Sequence, residues 1–333
     1  MSVSVFDLTT TDPAFNLAAE EYVFSALPRD RAYVMLWQND RAVIIGKYQN
    51  TAAEVNGAAV EAKGIRVVRR LSGGGAVYHD LGNLNFTVIT DAEPGGRVDL
   101  ALFCQPVVRA LARFGVTAEI SGRNDVTVDG KKFSGNAQYL REGRVMHHGT
   151  ILFDSDLSAV QEALAVKAEK LAGKGVASVR SRVTNLKPLL PADTTLEEFR
   201  RVLLEELAGG SEAERCAFTE EDLAAIEALK EARYGRWEWN WGASPESTLR
   251  KAKRFEGCGT VEALIGLKRG RIRSLAFQGD FFSTREPEEL AERLTGVPLR
   301  ADAVRKRLDD IGIPVSDYFT GLDEDGLIEL LLL

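Results

Sequence analysis

Cysteine is scarce in this chain: three residues in 333, Cys104, Cys216 and Cys258, odd in number and without a CxxC pair. That excludes a disulfide framework and the spacing of structural zinc, and it suits a reducing cytoplasm. Histidine is as rare, and two of the three, His147 and His148, are adjacent. Neighbours on a strand point to opposite faces, which argues against a shared metal and leaves one of the two free to line a pocket. No apolar run approaches the roughly eighteen residues of a membrane span, so no membrane anchor is expected. The opening "MSVSVFDLTT" has neither the basic nor the apolar segment of a secretory leader, and none is expected. Basic charge is short as well. A formal net charge of -7 argues against general nucleic-acid binding and leaves room only for a local cationic pocket. There is no repeat and no low-complexity tract.

What is present is an ordinary globular chain, 45% apolar and 27% charged, able to bury a full core. Its length suits one large domain and one small one. Asp12 as cap and Pro13 at the first position predict a helix over 12–24. "AYVMLW" and "RAVIIGKYQ" read as strands, Ala52 to Lys63 as a small helix stopped by Gly64, and "IRVVRR" and "LNFTVIT" as strands flanking a glycine loop. Val98 to Phe114 reads as a helix ending at Gly115, with Cys104 a small buried filler on it. Residues 125–152 read as a three-stranded meander, its first turn at Asp129-Gly130. Two amphipathic helices with acidic first turns follow, "PADTTLEEFRRVLLEELA" and "TEEDLAAIEALKEARY". The alternation in "RWEWNW" places Trp237, Trp239 and Trp241 on one face of an extended segment, either a core edge or a ligand wall. Beyond residue 245 a hairpin and two short helices suggest a small α+β domain.

Three stretches carry chemistry. "RRLSGGGAVYHDLGN" (69–83) is neither a Walker A loop, lacking the Gly-Lys-Ser/Thr ending, nor a GxGxxG helix start. Glycines still let backbone N–H groups meet an anion, and Arg70 offers a donor fork suited to phosphate or carboxylate. A flexible surface loop fits the same composition. His79 lacks the acid and nucleophile of a triad, and Ser72 with His79 makes a poor pair. In "NDVTVDGKKFSGNA" the turn pairs Val128 with Lys131, Thr127 with Lys132 and Asp125 with Ser134. Asp125, Thr127, Lys132 and Ser134 then share a polar face that either holds phosphate with a divalent ion or is solvated surface. Val126, Val128 and Phe133 take the buried face. "MHHGT" is the third stretch.

Taken together and in order, these runs resemble the lipoate–protein ligase A family. The matching segments are "NLAAEE" (16–21), "RRLSGGGAVYHDLGN" (69–83), "GRNDVTVDGKKFSGNA" (122–137), "HHGT" (147–150) and "GVASVRSRVTNL" (175–186). The resemblance implies an α/β (α+β) fold, a biotin/lipoate ligase catalytic domain related to class II aminoacyl-tRNA synthetase cores, over residues 1–245. A small α+β C-terminal accessory domain over 246–333 would complete it. It implies a two-step ligase in which lipoate and Mg-ATP give lipoyl-AMP and pyrophosphate. The acyl group then passes to a lysine of an apo lipoyl domain, on a 2-oxoacid dehydrogenase E2 subunit or glycine cleavage H protein. Lipoate or octanoate would serve as substrate, with ATP and Mg2+ as cofactors, in a cytoplasmic monomer.

The resemblance further implies site residues. Arg70 and Lys132 are the catalytic pair, Arg70 on the adenylate and Lys132 between lipoate carboxylate and phosphate. Gly75, Ala76, Val77 and Tyr78 contact ATP, and Ser72, Gly73 and Gly74 shape its approach. Asn83 and Asp125 lie near nucleotide or magnesium, with Asp125 the metal ligand; Ser134 joins them, and His148 lies by the lipoyl pocket. Val77 and Tyr78 could wall the ribose and adenine. The chemistry agrees: joining two anions calls for cations that stabilise charge on the phosphoryl oxygens, and no protein nucleophile. A thioester route needs a cysteine near these runs, and none lies there. A transferase fed with ready-made acyl-adenylate, or a non-catalytic lipoyl-domain binder, are the alternatives.

Overall fold

The computed structural model describes residues 2–332 apart from 50, 56, 93–98, 123, 165–181, 210–212, 242–248, 269–270 and 300. The first strands are β1 (Val3–Asp7), β2 (Ala32–Trp37), β3 (Ala42–Ile45), β4 (Arg66–Arg69), β5 (Val77–His79) and β6 (Asn83–Asp91). There follow β7 (Glu119–Ser121), β8 (Asp125–Val128), β9 (Lys131–Arg141), β10 (Arg144–Leu152) and β11 (Ala213–Cys216). They form an eight-stranded mixed sheet in the order β11-β1-β2-β6-β10-β9-β8-β7 and a three-stranded sheet β4-β3-β5.

Side chains alternate between the two faces of the large sheet, and its central strands β2, β6 and β10 are near-continuous buried runs, covered on both. On β2, Val34 and Leu36 join Leu84 and Phe86 of β6 under the helices Leu100–Ala112 and Leu196–Leu207. Tyr33, Met35 and Trp37 point the other way, onto helix Pro13–Ser25. That helix starts where the sequence says it should, the Asp12 carboxylate accepting from Ala14 N–H at 3.0 Å. The small sheet lies over the same face, because Ala42, Ile44 and Val68 share that cluster. The opposite side of β3 packs Val43 and Ile45 with Tyr78 and Val60.

The meander over 125–152 is present, with Asp129 and Gly130 both at positive φ (50° and 73°), as the two-residue turn demands. The predicted register holds for Val128–Lys131 and Thr127–Lys132 and then slips: Val126 faces Ser134 and Asp125 faces Gly135. The expected Asp125–Ser134 pairing is therefore corrected by a bulge at Phe133. Its cause is non-local. The Lys132 carbonyl is taken by Thr184 N–H at 2.9 Å, and Asn124 and Asn136 clamp the hairpin's far end. The extra residue, Phe133, is fully buried beside Val126 and Val128.

The tryptophan segment is also corrected. Residues Trp237–Asn240 form a helical turn, so the three indoles diverge. Trp237 is 62% exposed, Trp239 packs near Tyr234, and Trp241 joins the Val43 cluster. Asn240 drives this: its side chain donates to Tyr234 O at 2.6 Å and accepts from Arg69 N–H at 2.9 Å. Sequence reading also missed the short strand β5 within the glycine segment, and split helices at Thr51–Glu54 and Gly57–Ala62 replace the single one expected.

Past the undescribed stretch 242–248, β12 (Leu249–Phe255), β13 (Gly259–Lys268) and β14 (Arg271–Gly279) make an antiparallel sheet with its own core. The β13–β14 hairpin was expected; β12 was not. Four described helices follow rather than two, the longest being Ala301–Ile311. This part is tied back through Tyr48, which stacks on Phe281 at 4.7 Å and shares a 2.7 Å hydrogen bond with Ser283.

Arg69 is the staple of the small sheet. Buried, it donates from Nε to Trp239 O, from one terminal nitrogen to Gly46, Lys47 and Gln49 O, and from the other to Thr51 Oγ1 and Asn240 O. Burial pulls its pKa down to about 10, so it stays cationic. Removing a hydrogen-bonded buried charge orphans these oxygens. Arg69→Met should lower stability by about 3 kcal/mol, read as a reduced urea midpoint at unchanged slope.

Candidate active site

A cavity of about 110 Å³ opens between the two sheets. The small sheet gives it Ile44, Val77 and His79, and the glycine loop gives Arg70, Gly75 and Ala76. From the large sheet come Trp37, Asn85, Lys132 and His148, and helix Pro13–Ser25 adds Leu17. Of the sequence-predicted residues, Arg70, Gly75, Ala76, Val77, Lys132 and His148 meet here. Ser72, Gly73, Gly74 and Asp125 stand one step behind them.

Arg70 is turned to the loop itself. It donates to Gly73 O (2.6 Å), Gly75 O (2.9 Å), Ile44 O (3.1 Å) and Ser72 Oγ (3.0 Å). Burial pulls its pKa down to about 10, opposed by the Glu20 carboxylate. The three glycines have three separate reasons. A Cβ on Gly73 would meet Phe281 O at 2.3 Å, so the residue is bare to let the C-terminal part dock. Gly74 sits at φ +94°, and its N–H donates to that same Phe281 O at 3.2 Å. Gly75 faces open space at the cavity.

Behind Ser72 runs a buried relay. Ser72 Oγ lies 2.6 Å from His148 Nε2, and His148 Nδ1 lies 3.0 Å from Glu20 Oε1. Trp37 Nε1 donates to Thr87 Oγ1 at 2.9 Å, and Thr87 donates to the same carboxylate oxygen at 2.5 Å. A carboxylate at Nδ1 places the ring proton there, so Nε2 accepts the Ser72 O–H and Ser72 Oγ accepts from Arg70. Every member has one polarity, which fixes the wall of the pocket.

At the mouth, Lys132 Nζ pairs with Asp125 at 2.7 Å, both side chains about a third exposed (34% and 37%). They share a face, as the sequence implied. Ser134 does not join them: it is fully buried, its hydroxyl accepting from Asn136 Nδ2 at 3.2 Å. Asn83 is fully buried too, its Nδ2 donating to Asn85 Oδ1 at 2.9 Å. On β5 the alternation sends Val77 and His79 to the cavity and the Tyr78 side chain into the Val43 layer. His147 turns away, stacked on Phe103 at 5.0 Å. Of 175–186, residues 175–181 lie outside the described residues; Val183 and Thr184 meet Lys132, Asn185 bonds Ser155, and Leu186 is buried in the core.

Sequence reasoning missed Leu17, Glu20, Trp37, Asn85 and Asn136. Leu17 and Glu20 lie in "NLAAEE", which was quoted as a match but read only as a helix; Trp37 was read only as part of a strand. Among the described residues, no cluster of three or more His, Cys, Asp or Glu could hold a metal by itself. No described helix is long and apolar enough to cross a membrane. Cys104 and Cys258 are buried, and burial pushes the Cys104 thiol up to about 12.

Residues 12–208 match the family model "Lipoyl protein ligase A/B catalytic domain", and 244–331 match "Bacterial lipoate protein ligase C-terminus". A lipoate-protein ligase of Bacillus subtilis, LplJ, is 40% identical over 323 residues, covering 96% of this chain and 97% of that protein. A solved bipartite lipoate protein ligase of Thermoplasma acidophilum, described with its E2 lipoyl domain, superposes with a TM-score of 0.66 at 29% identity. That match covers 75% of this chain and all of that one. A lipoate-protein ligase A solved with ATP gives 0.64 at 27% identity, covering 73% of this chain and 99% of that one.

Two predictions follow from the loop and the buried rings. Gly73→Ala should lower the melting temperature by several degrees and raise proteolysis at 279–286, whereas Gly75→Ala should leave both nearly unchanged. Burial pulls His79 down to about 3 and His147 well below the usual value. The unfolded chain regains pKa values near 6.5 and so binds more protons at lower pH. Stability is then complete above about pH 6.5 and falls as pH drops, by up to roughly 1.4 kcal/mol per unit per ring. The urea midpoint should be lower at pH 5.5 than at 7.5, and His147→Asn should reduce the difference.

Proposed function

This chain belongs to the lipoate–protein ligase family, and we propose that its cavity joins lipoate to AMP and then delivers the lipoyl group to a lysine of an apo lipoyl domain. The observation that carries the reading is Lys132, the cation at the mouth of a half-open pocket with apolar walls at Leu17, Trp37, Ile44 and Val77, beside a glycine loop that Arg70 holds in shape. A small apolar acid fits inward, and its carboxylate stays at the mouth, where a nucleotide can reach it.

In the first step a carboxylate oxygen attacks the α-phosphorus, a C–O–P anhydride forms, and pyrophosphate leaves. Lys132 exchanges Asp125 for the two incoming anions and stabilises charge on the phosphoryl oxygens. Arg70 keeps the loop from 73 to 75 in place, so backbone groups of Gly75, Ala76, Val77 and Tyr78 meet the nucleotide without reorganisation. In the second step the acceptor lysine attacks the acyl carbon and AMP departs. Asp125, freed from Lys132, would hold Mg2+. A single carboxylate fits that ion, which keeps several waters and takes its other ligands from phosphate oxygens; it would supply charge neutralisation there. The buried Ser134 and Asn83 support the strands behind this site.

The acyl-thioester alternative lacks its nucleophile, because no cysteine lines the cavity among the described residues. We divide the working parts at about residue 245, with the C-terminal part docked on Gly73 and Gly74 as the loop's outer support. One chain builds the described cavity, so a monomer suffices, and the scarcity of cysteine leads us to infer a cytoplasmic setting. E2 and H-protein lipoyl domains are the acceptors we infer from the family.

Incubation with lipoate, Mg-ATP and an apo lipoyl domain should add the lipoyl mass to the domain, and omission of ATP should abolish it. Lys132→Ala should cut lipoate-dependent pyrophosphate release by about a hundredfold or more. Its melting temperature should barely move, since an ion pair open to solvent in this way contributes at most about 1 kcal/mol. Parallel losses in both measurements would remove Lys132 from the chemistry.

A further inference from the structure

His79 is fully buried, at 2% exposure, and lines the cavity, yet its Nε2 has no hydrogen-bond partner among the described residues. Its protonation state can be read from its neighbours. Asn16 Nδ2 donates to Gln38 O at 2.9 Å and Thr10 O at 3.1 Å, so that atom is the amine. It also lies 3.0 Å from Asn39 Oδ1, which fixes the Asn39 amide and turns its Nδ2 toward His79 Nδ1 at 3.1 Å. A donor facing Nδ1 makes Nδ1 the acceptor and leaves the ring proton on Nε2. Burial, with Arg70 and His148 adding to it, pulls the pKa down to about 3, so the ring is neutral. The result is a neutral, fixed N–H donor at the cavity wall that no group among the described residues accepts from.

Its place in the cavity says what it awaits. Lys132 at the mouth is 34% exposed, while His79 and Trp37 are each 2% exposed, with their rings 6.1 Å apart. The nucleotide and the acceptor lysine both arrive from solvent, which keeps the acid's carboxylate at the mouth and sends its tail inward. Resting on the function proposed above, we propose that His79 Nε2–H is a specificity determinant for the far end of the acyl chain, favouring a tail that carries an acceptor atom over a plain hydrocarbon. A cyclic disulfide offers sulfur, a weak acceptor. A saturated tail of the same shape offers none and excludes the water that could otherwise serve, leaving a buried donor unpaired.

The test compares lipoate with 5-cyclopentylpentanoate, which keeps the five-membered ring and chain length but has no sulfur. Acid-dependent pyrophosphate release gives kcat/KM for each with the wild type, His79→Phe and His79→Gln. The wild type should favour lipoate by roughly fivefold more than His79→Phe does. His79→Gln, whose amide can present a donor near the same point, should restore most of the preference. Should His79→Phe not fold in a melt, His79→Leu replaces it. Equal use of both acids by the wild type, or a preference kept in the apolar variant, overturns the role of His79 while leaving the ligase reading intact. Activation of neither acid by the wild type sinks that reading and this one together.

Discussion

A guanidinium can be buried only if its N–H groups find oxygens, and two adjacent arginines meet that demand on opposite sides of the small sheet. Arg69 gathers the carbonyls of Gly46, Lys47 and Gln49 and binds the helical turn at Trp239 and Asn240. Arg70 gathers those of Ile44, Gly73 and Gly75. One residue of displacement along a strand reverses the side-chain direction, so a single Arg-Arg pair knits the chain together on both faces. The shape of the glycine segment, and hence the rim of the cavity, depends on that second set of bonds.

From Arg70 the order passes inward. Ser72, His148, Glu20, Thr87 and Trp37 form one directed chain of donors and acceptors linking the glycine segment to the large sheet and to helix Pro13–Ser25. A network with every member satisfied holds its side chains in one arrangement, as a pocket for a small flexible acid requires. On the outer side the same segment accepts the C-terminal part, because Gly73 lets Phe281 O approach and Gly74 donates to it. The loop is therefore gripped from both sides, and of its three glycines Gly75 is the one that lines the ligand space.

Lys132 owes its position to an irregularity. The bulge at Phe133 buries that ring with Val126 and Val128 and turns Ser134 from the polar face to the interior. Lys132 stays at the mouth with Asp125, a pair whose modest stability suits a site that must release one partner to receive an anion.

Sequence by itself determined what depends on a few neighbouring residues: the Asp12–Pro13 helix start, the Asp129-Gly130 turn, the alternating strands, and the ordered runs that mark the family. It also determined that Arg70, the glycines, Lys132 and His148 belong together, because the family motifs name them. What it left undetermined is long-range. The slip that separates Ser134 from Lys132 comes from Thr184 and Asn124, and the turn that scatters the tryptophans comes from Asn240 reaching Arg69. Glu20 and His79 looked idle in sequence, since their partners lie 128 and 40 residues away. Local backbone preference carries no record of which distant oxygen will accept a proton, so tertiary packing alone decided how the polar groups around the cavity are paired and that the His79 N–H there is not.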